Sequence, residues 1–192
     1  MNKEVIISGI VGLILGILIA PVFTPAMPSG GRMMGQIDPH FIEQMIPHHE
    51  DAITMANLAL VRAEHSEIKT LANNIIKAQS EEIDQMKQWY QSWFGNEVPD
   101  LNSSMGHGLG VMMHGGMMGS EADTKTLENA KTFDKEFIEQ MIPHHQMAVM
   151  MAQMLARSTN RPEMKQLAEN IISSQTKEIN QMREWYTVWY GN

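Results

Sequence analysis

Apolar residues recur at steps of three and four positions over four long stretches of the chain. The first stretch extends from Asp38 to about Ala63, and the second begins near Ser66 and ends at the Gly95–Asn96 pair. A 3.6-residue period predicts amphipathic helices, and glycine is a frequent residue just past a helix end. The acidic residue and following proline at positions 38 and 39 suit an N-cap and a first helical position. The pattern therefore predicts a helical hairpin.

This hairpin is encoded twice. The sequence FIEQMIPHH at residues 41–49 recurs at residues 137–145, and a gap-free alignment of 38–96 with 134–192 gives 30 identities in 59 positions. A single hairpin cannot cover its own apolar face, whereas two copies can cover each other. We therefore predict an all-α fold, a ferritin-like antiparallel four-helix bundle built from two repeated hairpins.

The remaining segments have different compositions. Residues 1–26 contain an apolar run from 5 to 23, which predicts a signal peptide or a membrane anchor and hence export. Residues 27–37 are interpreted as a flexible Met-containing tether, and residues 97–133 as a flexible linker rich in Met, His and Gly. The predicted location is the periplasm, with membrane contact only through the N-terminal segment.

Composition narrows the chemistry. The 192-residue chain has a formal net charge of -8 and no basic run, which argues against nucleic acid as a partner. It has no cysteine, so thiol catalysis, disulfides and zinc–thiolate sites are excluded. Its 19 methionines and 8 histidines leave thioether sulfur and imidazole as the available soft and borderline ligands.

Both copies of the repeated sequence place a methionine three residues before a histidine pair. Because i and i+3 share a helix face, sulfur and imidazole can approach one ion. Adjacent histidines point about 100° apart, so one of each pair can bind metal while the other binds a carboxylate or a second ion. The candidate helix-borne ligands are Met45, His48, His49, Met55, Met141, His144, His145, Met147, Met151 and Met154.

Two glutamates, Glu82 and Glu178, fall within the apolar stripe of the second helix of each repeat. An unpaired charge would be costly in that position. The histidines of the same repeat are the expected partners. A glutamate at the edge of the stripe with its carboxylate in water is the alternative.

Methionine and histidine also cluster between the repeats, where closely spaced glycines disfavour helix and strand. Core packing does not explain apolar side chains in such a segment. The candidate ligands here are Met105, His107, Met112, Met113, His114, Met117 and Met118. Thioether favours Cu(I), with Ag(I) as its mimic, and imidazole extends the range to Cu(II).

The repeated sequence also resembles a known family. Phe-Ile-x-x-Met-Ile-Pro-His-His, followed by Ala52 and Met55–Ala56 and by Trp89–Tyr90 at the end of the second helix, is similar to an exported helical-bundle family first catalogued as a domain of unknown function. The resemblance covers both repeats. It implies periplasmic copper binding in a ferritin-like bundle, with the methionine and histidine pair of each repeat at matching positions.

The main functional hypothesis is a copper-binding protein, not an enzyme. It would bind Cu(I) in preference to Cu(II), sequester or traffic copper outside the cytoplasm and contribute to copper resistance, with a copper exporter or sensor as candidate partner. The alternative is a di-iron or di-manganese carboxylate oxidoreductase. Such sites use a Glu-x-x-His spacing, whereas Glu43 and Glu139 stand five residues before the first histidine. A structural module with histidines satisfied in the core is the third hypothesis.

Overall fold

The computed structural model describes residues 37–99 and 121–191, which contain five helices and no strand. The helices are α1 (Ile37–Arg62), α2 (Ser66–Phe94), α3 (Glu121–Asn129), α4 (Phe133–Ser158) and α5 (Pro162–Tyr190). Helices α1 and α2, and likewise α4 and α5, are joined by three residues, so each pair is an antiparallel hairpin. The predicted all-α bundle of two hairpins is confirmed.

The chain divides into two units, Met1–Gly30 and Gly31–Asn192, and every described residue belongs to the second. The predicted signal peptide or anchor at 1–26, and nearly all of the predicted tether at 27–37, lie outside the described residues. Within the described ranges, no helix is long and apolar enough to cross a membrane.

The helix ends follow the local sequence. Helix α2 ends at Gly95, whose φ of 75° is the left-handed conformation that glycine adopts without steric cost. Helix α5 begins with Pro162, as predicted. Asp38 differs from the prediction, because α1 begins at Ile37 and Asp38 lies in its first turn rather than at its N-cap. Its carboxylate is instead 3.2 Å from Nε of Arg161 in the other hairpin, and this ion pair accounts for its buried position.

The core has two apolar halves. The first core half contains the C-terminal part of α1, the N-terminal parts of α2 and α4, and Met182 near the end of α5. The second core half contains the N-terminal part of α1, the C-terminal parts of α2 and α4, and the N-terminal part of α5. Each of the four long helices therefore passes through both halves. Each core half thus combines opposite ends of neighbouring helices, as expected when two equivalent hairpins pack against each other.

Helix α3 shows that residues 121–129, part of the segment interpreted as a flexible linker, are helical. Leu127 is fully buried in the first core half. The guanidinium of Arg62 donates hydrogen bonds to the carbonyl oxygens of Leu127 and Ala130, at 3.1 and 2.9 Å, and to that of Glu128. It also lies 5.1 Å from the centre of the Phe133 ring. These tertiary contacts satisfy the C-terminal carbonyls of a helix too short to be stable alone.

A related set of contacts joins the hairpins at each end of the bundle. His65 Nδ1 lies 2.6 Å from the Asp134 carboxylate, and its ring stacks on Trp189 at 3.7 Å. At the equivalent position of the second repeat, the Arg161 guanidinium lies 4.0 Å above the Trp93 ring. The loop within each hairpin thus contacts the opposite repeat, and these contacts hold the two hairpins together at their ends.

Candidate metal centre

A layer of polar side chains separates the two core halves at the middle of the bundle. On each of the four long helices, its members fall between the residues that line the first core half and those that line the second. We define this polar layer as His48, His49, Gln79, Glu82, His144, His145, Gln175 and Glu178. The histidines and glutamines are buried, and the two glutamate side chains are 19% and 18% exposed.

The second histidine of each pair is bound to a carboxylate. Nε2 of His49 lies 2.7 Å from the carboxylate of Glu82, and Nε2 of His145 lies 2.7 Å from that of Glu178. The expected pairing of both glutamates is confirmed. An Nε2–H that donates to carboxylate leaves Nδ1 with a free lone pair, and both Nδ1 atoms are buried without a hydrogen-bond partner. A metal-ligating histidine usually donates its other ring N–H to a carboxylate or carbonyl in this way, which fixes the orientation of the ring.

The first histidine of each pair has no such partner. The rings of His48 and His144 face each other across the repeats, with centroids 3.7 Å apart and planes inclined by 39°. Both nitrogens of each ring are buried and lack a hydrogen-bond partner. Unsatisfied buried polar groups are rare in proteins, and each costs on the order of 1 to 3 kcal/mol. Four such nitrogen atoms at the contact between two imidazole rings indicate a site built for a ligand.

The electrostatics keep this inner pair neutral. Burial, followed by repulsion from His49 and His145, lowers the pKa of His48 from 6.5 to about 3. Burial and repulsion from the neighbouring imidazoles also lower the pKa of His144 well below its usual value. A neutral imidazole is the form that binds a metal ion. The lone pairs of the inner pair are therefore available at neutral and mildly acidic pH.

Two glutamines complete the layer. The side-chain oxygens of Gln79 and Gln175 are buried without a hydrogen-bond partner. The sequence analysis did not assign either glutamine to the site. Their recurrence at the same place in both repeats was the signal that could have identified them, because a polar amide is costly in a core unless it serves the layer.

The helix-borne methionines take three kinds of position. Met45 and Met141 are fully buried one turn before the inner histidines, and Met55 is buried in the first core half two turns after His48. Met147 and Met151 are half-buried, and Met154 is 58% exposed. The candidate donors on α4 are therefore divided between the interior and a flank of the helix. The seven candidates from 105 to 118 lie outside the described residues.

The carboxylates of Glu43 and Glu139 accept hydrogen bonds from tyrosine hydroxyls. Tyr90 donates a 2.6 Å hydrogen bond to Glu43, and Tyr186 donates one of the same length to Glu139. Burial and the Glu43 carboxylate raise the pKa of Tyr90 to about 12, so its hydroxyl remains a donor. Within residues 37–99 and 121–191, no three His, Asp or Glu side chains are grouped to hold a metal ion. A metal in the layer would need imidazole together with thioether or amide donors.

These features define a class: helical bundles of two repeated hairpins with a buried histidine layer between them. The chain belongs to the family described as Domain of unknown function (DUF305), which matches residues 38–186. The family resemblance expected from the sequence is confirmed.

Several solved structures are similar to this chain. CopM in the Cu(I)-bound form is 52% identical, with a TM-score of 0.68 over 80% of this chain and 98% of that one. CopM in the Cu(II)-bound form is 54% identical, with a TM-score of 0.71 over 80% and 97%. A DUF305 fragment from Deinococcus radiodurans is 28% identical, with a TM-score of 0.66 over 84% and 97%.

A curated relative matches over a shorter length. Uncharacterized protein L153 of Acanthamoeba polyphaga mimivirus is 49% identical over 49 residues, which are 26% of this chain and 32% of that protein. The chain thus spans about a third of that relative.

Proposed function

We propose that this protein binds copper, with Cu(I) favoured over Cu(II), as a binding protein rather than an enzyme. The observation that carries the proposal is the polar layer, whose buried imidazole and amide groups present eight atoms without a hydrogen-bond partner. The similarity to CopM, which is solved in Cu(I)-, Cu(II)- and Ag-bound forms, supports the same metal.

The donor types support copper over harder cations. Imidazole nitrogen and thioether sulfur bind Cu(I) well, whereas Mg²⁺ and Ca²⁺ prefer oxygen ligands. The glutamates near the layer already accept hydrogen bonds from histidine or tyrosine. The chain also lacks the cysteines that structural zinc sites commonly use. The carboxylate-bridged oxidoreductase therefore has less support than the copper site.

Each repeat supplies half of the proposed copper ligands. His48 and His144 supply the unpartnered nitrogens of the inner pair, and His49 and His145 supply one Nδ1 each. Met45 and Met141, each one turn from an inner histidine, are the thioethers that can join them. Since the inner pair takes one histidine from each repeat, the site requires both repeats in one bundle.

The proposed role is to sequester or traffic copper outside the cytoplasm and so contribute to copper resistance. The apolar run at residues 5–23 supports export, by cleavage or by anchoring. A copper exporter or sensor is the partner class that this role implies. Fractionation of cells that produce the full chain, followed by copper analysis of each fraction, tests the location. Copper-bound protein confined to the cytoplasm would contradict this role.

A Cu(I) titration tests the binding. Under reducing conditions with a competing chelator, we expect several ions bound with unequal affinity, because helix-borne ligands are positioned before binding and linker ligands lose chain entropy. The double variant His48→Gln with His144→Gln should lose the tightest binding, since glutamine is a poor ligand for soft Cu(I). His40→Gln is the matched control, because His40 lies on α1 outside the layer with its side chain 65% exposed. A single homogeneous site, or preference for zinc at matched competition, contradicts the proposal.

A further inference from the structure

Four methionines form a continuous flank of α4, and two of them are exposed rather than packed in the core. Met150 and Met154 are 48% and 58% exposed, whereas Met147 and Met151 are half-buried, and Met151 packs against the second core half. We define this methionine face as Met147, Met150, Met151 and Met154. Every other methionine in the described part of the chain is buried. Packing explains those residues but not the two exposed ones.

The spacing allows the four sulfurs to act together. Residues three and four apart on a helix have Cβ atoms roughly 5–6 Å apart, so neighbouring thioethers can reach a common ion. Long helical side chains lean toward the N-terminus of their helix, over the preceding turn. Each methionine of the face therefore leans toward the next one, and Met147 leans toward the turn of His144, three residues before it.

Exposure differs among these donors and His144. It is highest at Met154 and Met150, intermediate at Met151 and Met147, and lowest at His144, which is buried. The polar layer is enclosed, so an ion that reaches it must pass between packed side chains. The methionine face is a set of soft donors arranged from solvent to that layer.

The first repeat does not have such a face. The positions of α1 equivalent to the four methionines hold Asp51, Thr54, Met55 and Leu58. Met55, the one methionine among these four positions, is buried in the first core half. Both repeats have the histidines and their glutamate partners. Because only the second repeat has the methionine face, that face is not a requirement of the polar layer itself.

We propose that the methionine face of α4 is a surface Cu(I) site that captures the ion and passes it to the inner histidines. This inference rests on the proposed copper function and adds the route of entry. Transfer is an exchange of thioether for thioether and then for imidazole at a monovalent ion. No electron is transferred, and no proton is released, because neither thioether nor the neutral inner histidines must lose one.

Loading kinetics test the route. Cu(I) is supplied as a complex with a chromophoric chelator, whose absorbance follows the transfer of the ion to the protein. The part of this transfer that disappears in His48→Gln with His144→Gln is defined as the histidine-dependent phase. Met150→Leu with Met154→Leu retains apolar volume and deletes sulfur. We expect that phase to slow roughly tenfold, because an ion held beside the layer has a high effective concentration there. Its final amplitude should not change, and one fast-exchanging equivalent of Cu(I) should be lost.

The first repeat offers the converse variant. By the alignment of the repeats, Thr54→Met with Leu58→Met places methionines at the equivalents of Met150 and Met154, where Thr54 is exposed and Leu58 is half-buried against the first core half. Added to the leucine variant, these changes should accelerate its histidine-dependent phase. An unchanged rate in the leucine variant overturns the entry route while leaving the copper function intact. A wild-type chain that takes no Cu(I) from the chelator overturns the copper function itself, so the two failures are distinguishable.

Discussion

The two histidines of each pair are adjacent in sequence but have different surroundings. His49 and His145 each share a hydrogen bond with a glutamate from the same hairpin, whereas His48 and His144 contact only each other and other buried groups. The roughly 100° rotation between successive helical residues produces this division. One histidine of each pair is therefore oriented by a carboxylate, and the other is free to accept a ligand.

This division leads to an expectation for stability. His49→Leu leaves the Glu82 carboxylate without its partner in a site that is mostly buried, so the metal-free protein should lose about 1 to 2 kcal/mol of unfolding free energy. His48→Gln removes no hydrogen bond and should cost much less. Urea denaturation of the metal-free variants measures the difference. Equal losses for the two substitutions would show that the pairing with Glu82 is not a stabilising interaction.

The inner histidines also make stability depend on pH. His48 has its pKa lowered from 6.5 to about 3 by burial and by the neighbouring imidazoles, and that of His144 shifts in the same direction. Between those pH values the unfolded chain binds a proton that the folded chain does not. The contribution to stability is therefore intact above pH 6.5 and is lost as the pH falls below it.

Since one pKa unit corresponds to about 1.4 kcal/mol, His48 alone should cost the metal-free protein about 2 kcal/mol between pH 6.5 and pH 5. The variant His48→Gln with His144→Gln should lose less over that range. Urea denaturation at pH 7, 6 and 5 compares them, and the groups common to both proteins cancel. Parallel curves would mean that these imidazoles are protonated in the folded state.

The sequence predicted this chemistry only in part. It indicated that Glu82 and Glu178 needed histidine partners, and the structure confirms this. It could not say which histidine of a pair is bound, because that depends on the rotation of the helix against its neighbour. It also did not identify Gln79 and Gln175, although both recur at the same place in the two repeats, because their burial without a hydrogen-bond partner depends on how the helices pack.

At the scale of elements, the four long helices follow from periodicity, turn residues and the internal repeat. Helix α3 does not, because among the side chains of residues 124–129 only Leu127 is fully buried. Its stability comes from Arg62 and the first core half, which are distant in sequence. Contacts of this kind leave no local periodic signal, so the sequence placed the segment in the linker.

Substitution of Leu127 tests whether α3 depends on this docking. Leu127→Ala should cost about 2 to 3 kcal/mol, because it opens a cavity at the end of the first core half. Amide hydrogen exchange should rise in residues 121–129 and change little in α2. Glu128→Ala is the control on the same helix, since that side chain is exposed. Equal exchange in the two variants would indicate that α3 is held by something other than Leu127.

At the scale of the whole molecule, the two repeats are interdependent. Each of the four long helices contributes to both core halves, and the loop within each hairpin contacts the opposite repeat through His65 with Asp134 and Arg161 with Asp38. The inner histidine pair also takes one member from each repeat. An ion bound between them would join the two hairpins, and its binding free energy would add directly to the stability of the bundle.

Copper binding at the polar layer should therefore raise the melting temperature of the whole bundle, which copper in the segment between the repeats would not do. A ligand that binds only the folded state at 100 times its Kd adds about 2.7 kcal/mol, which corresponds to a shift of roughly 5 to 10 °C for a domain of this size. The shift should disappear in His48→Gln with His144→Gln. It should remain in a variant with serine at Met105, His107, Met112, Met113, His114, Met117 and Met118.

Thermal unfolding with and without Ag(I), which avoids copper oxidation, is the measurement. A shift that survives the histidine changes but not the serine changes would place the stabilising metal site between the repeats, and the polar layer would then not be the copper centre.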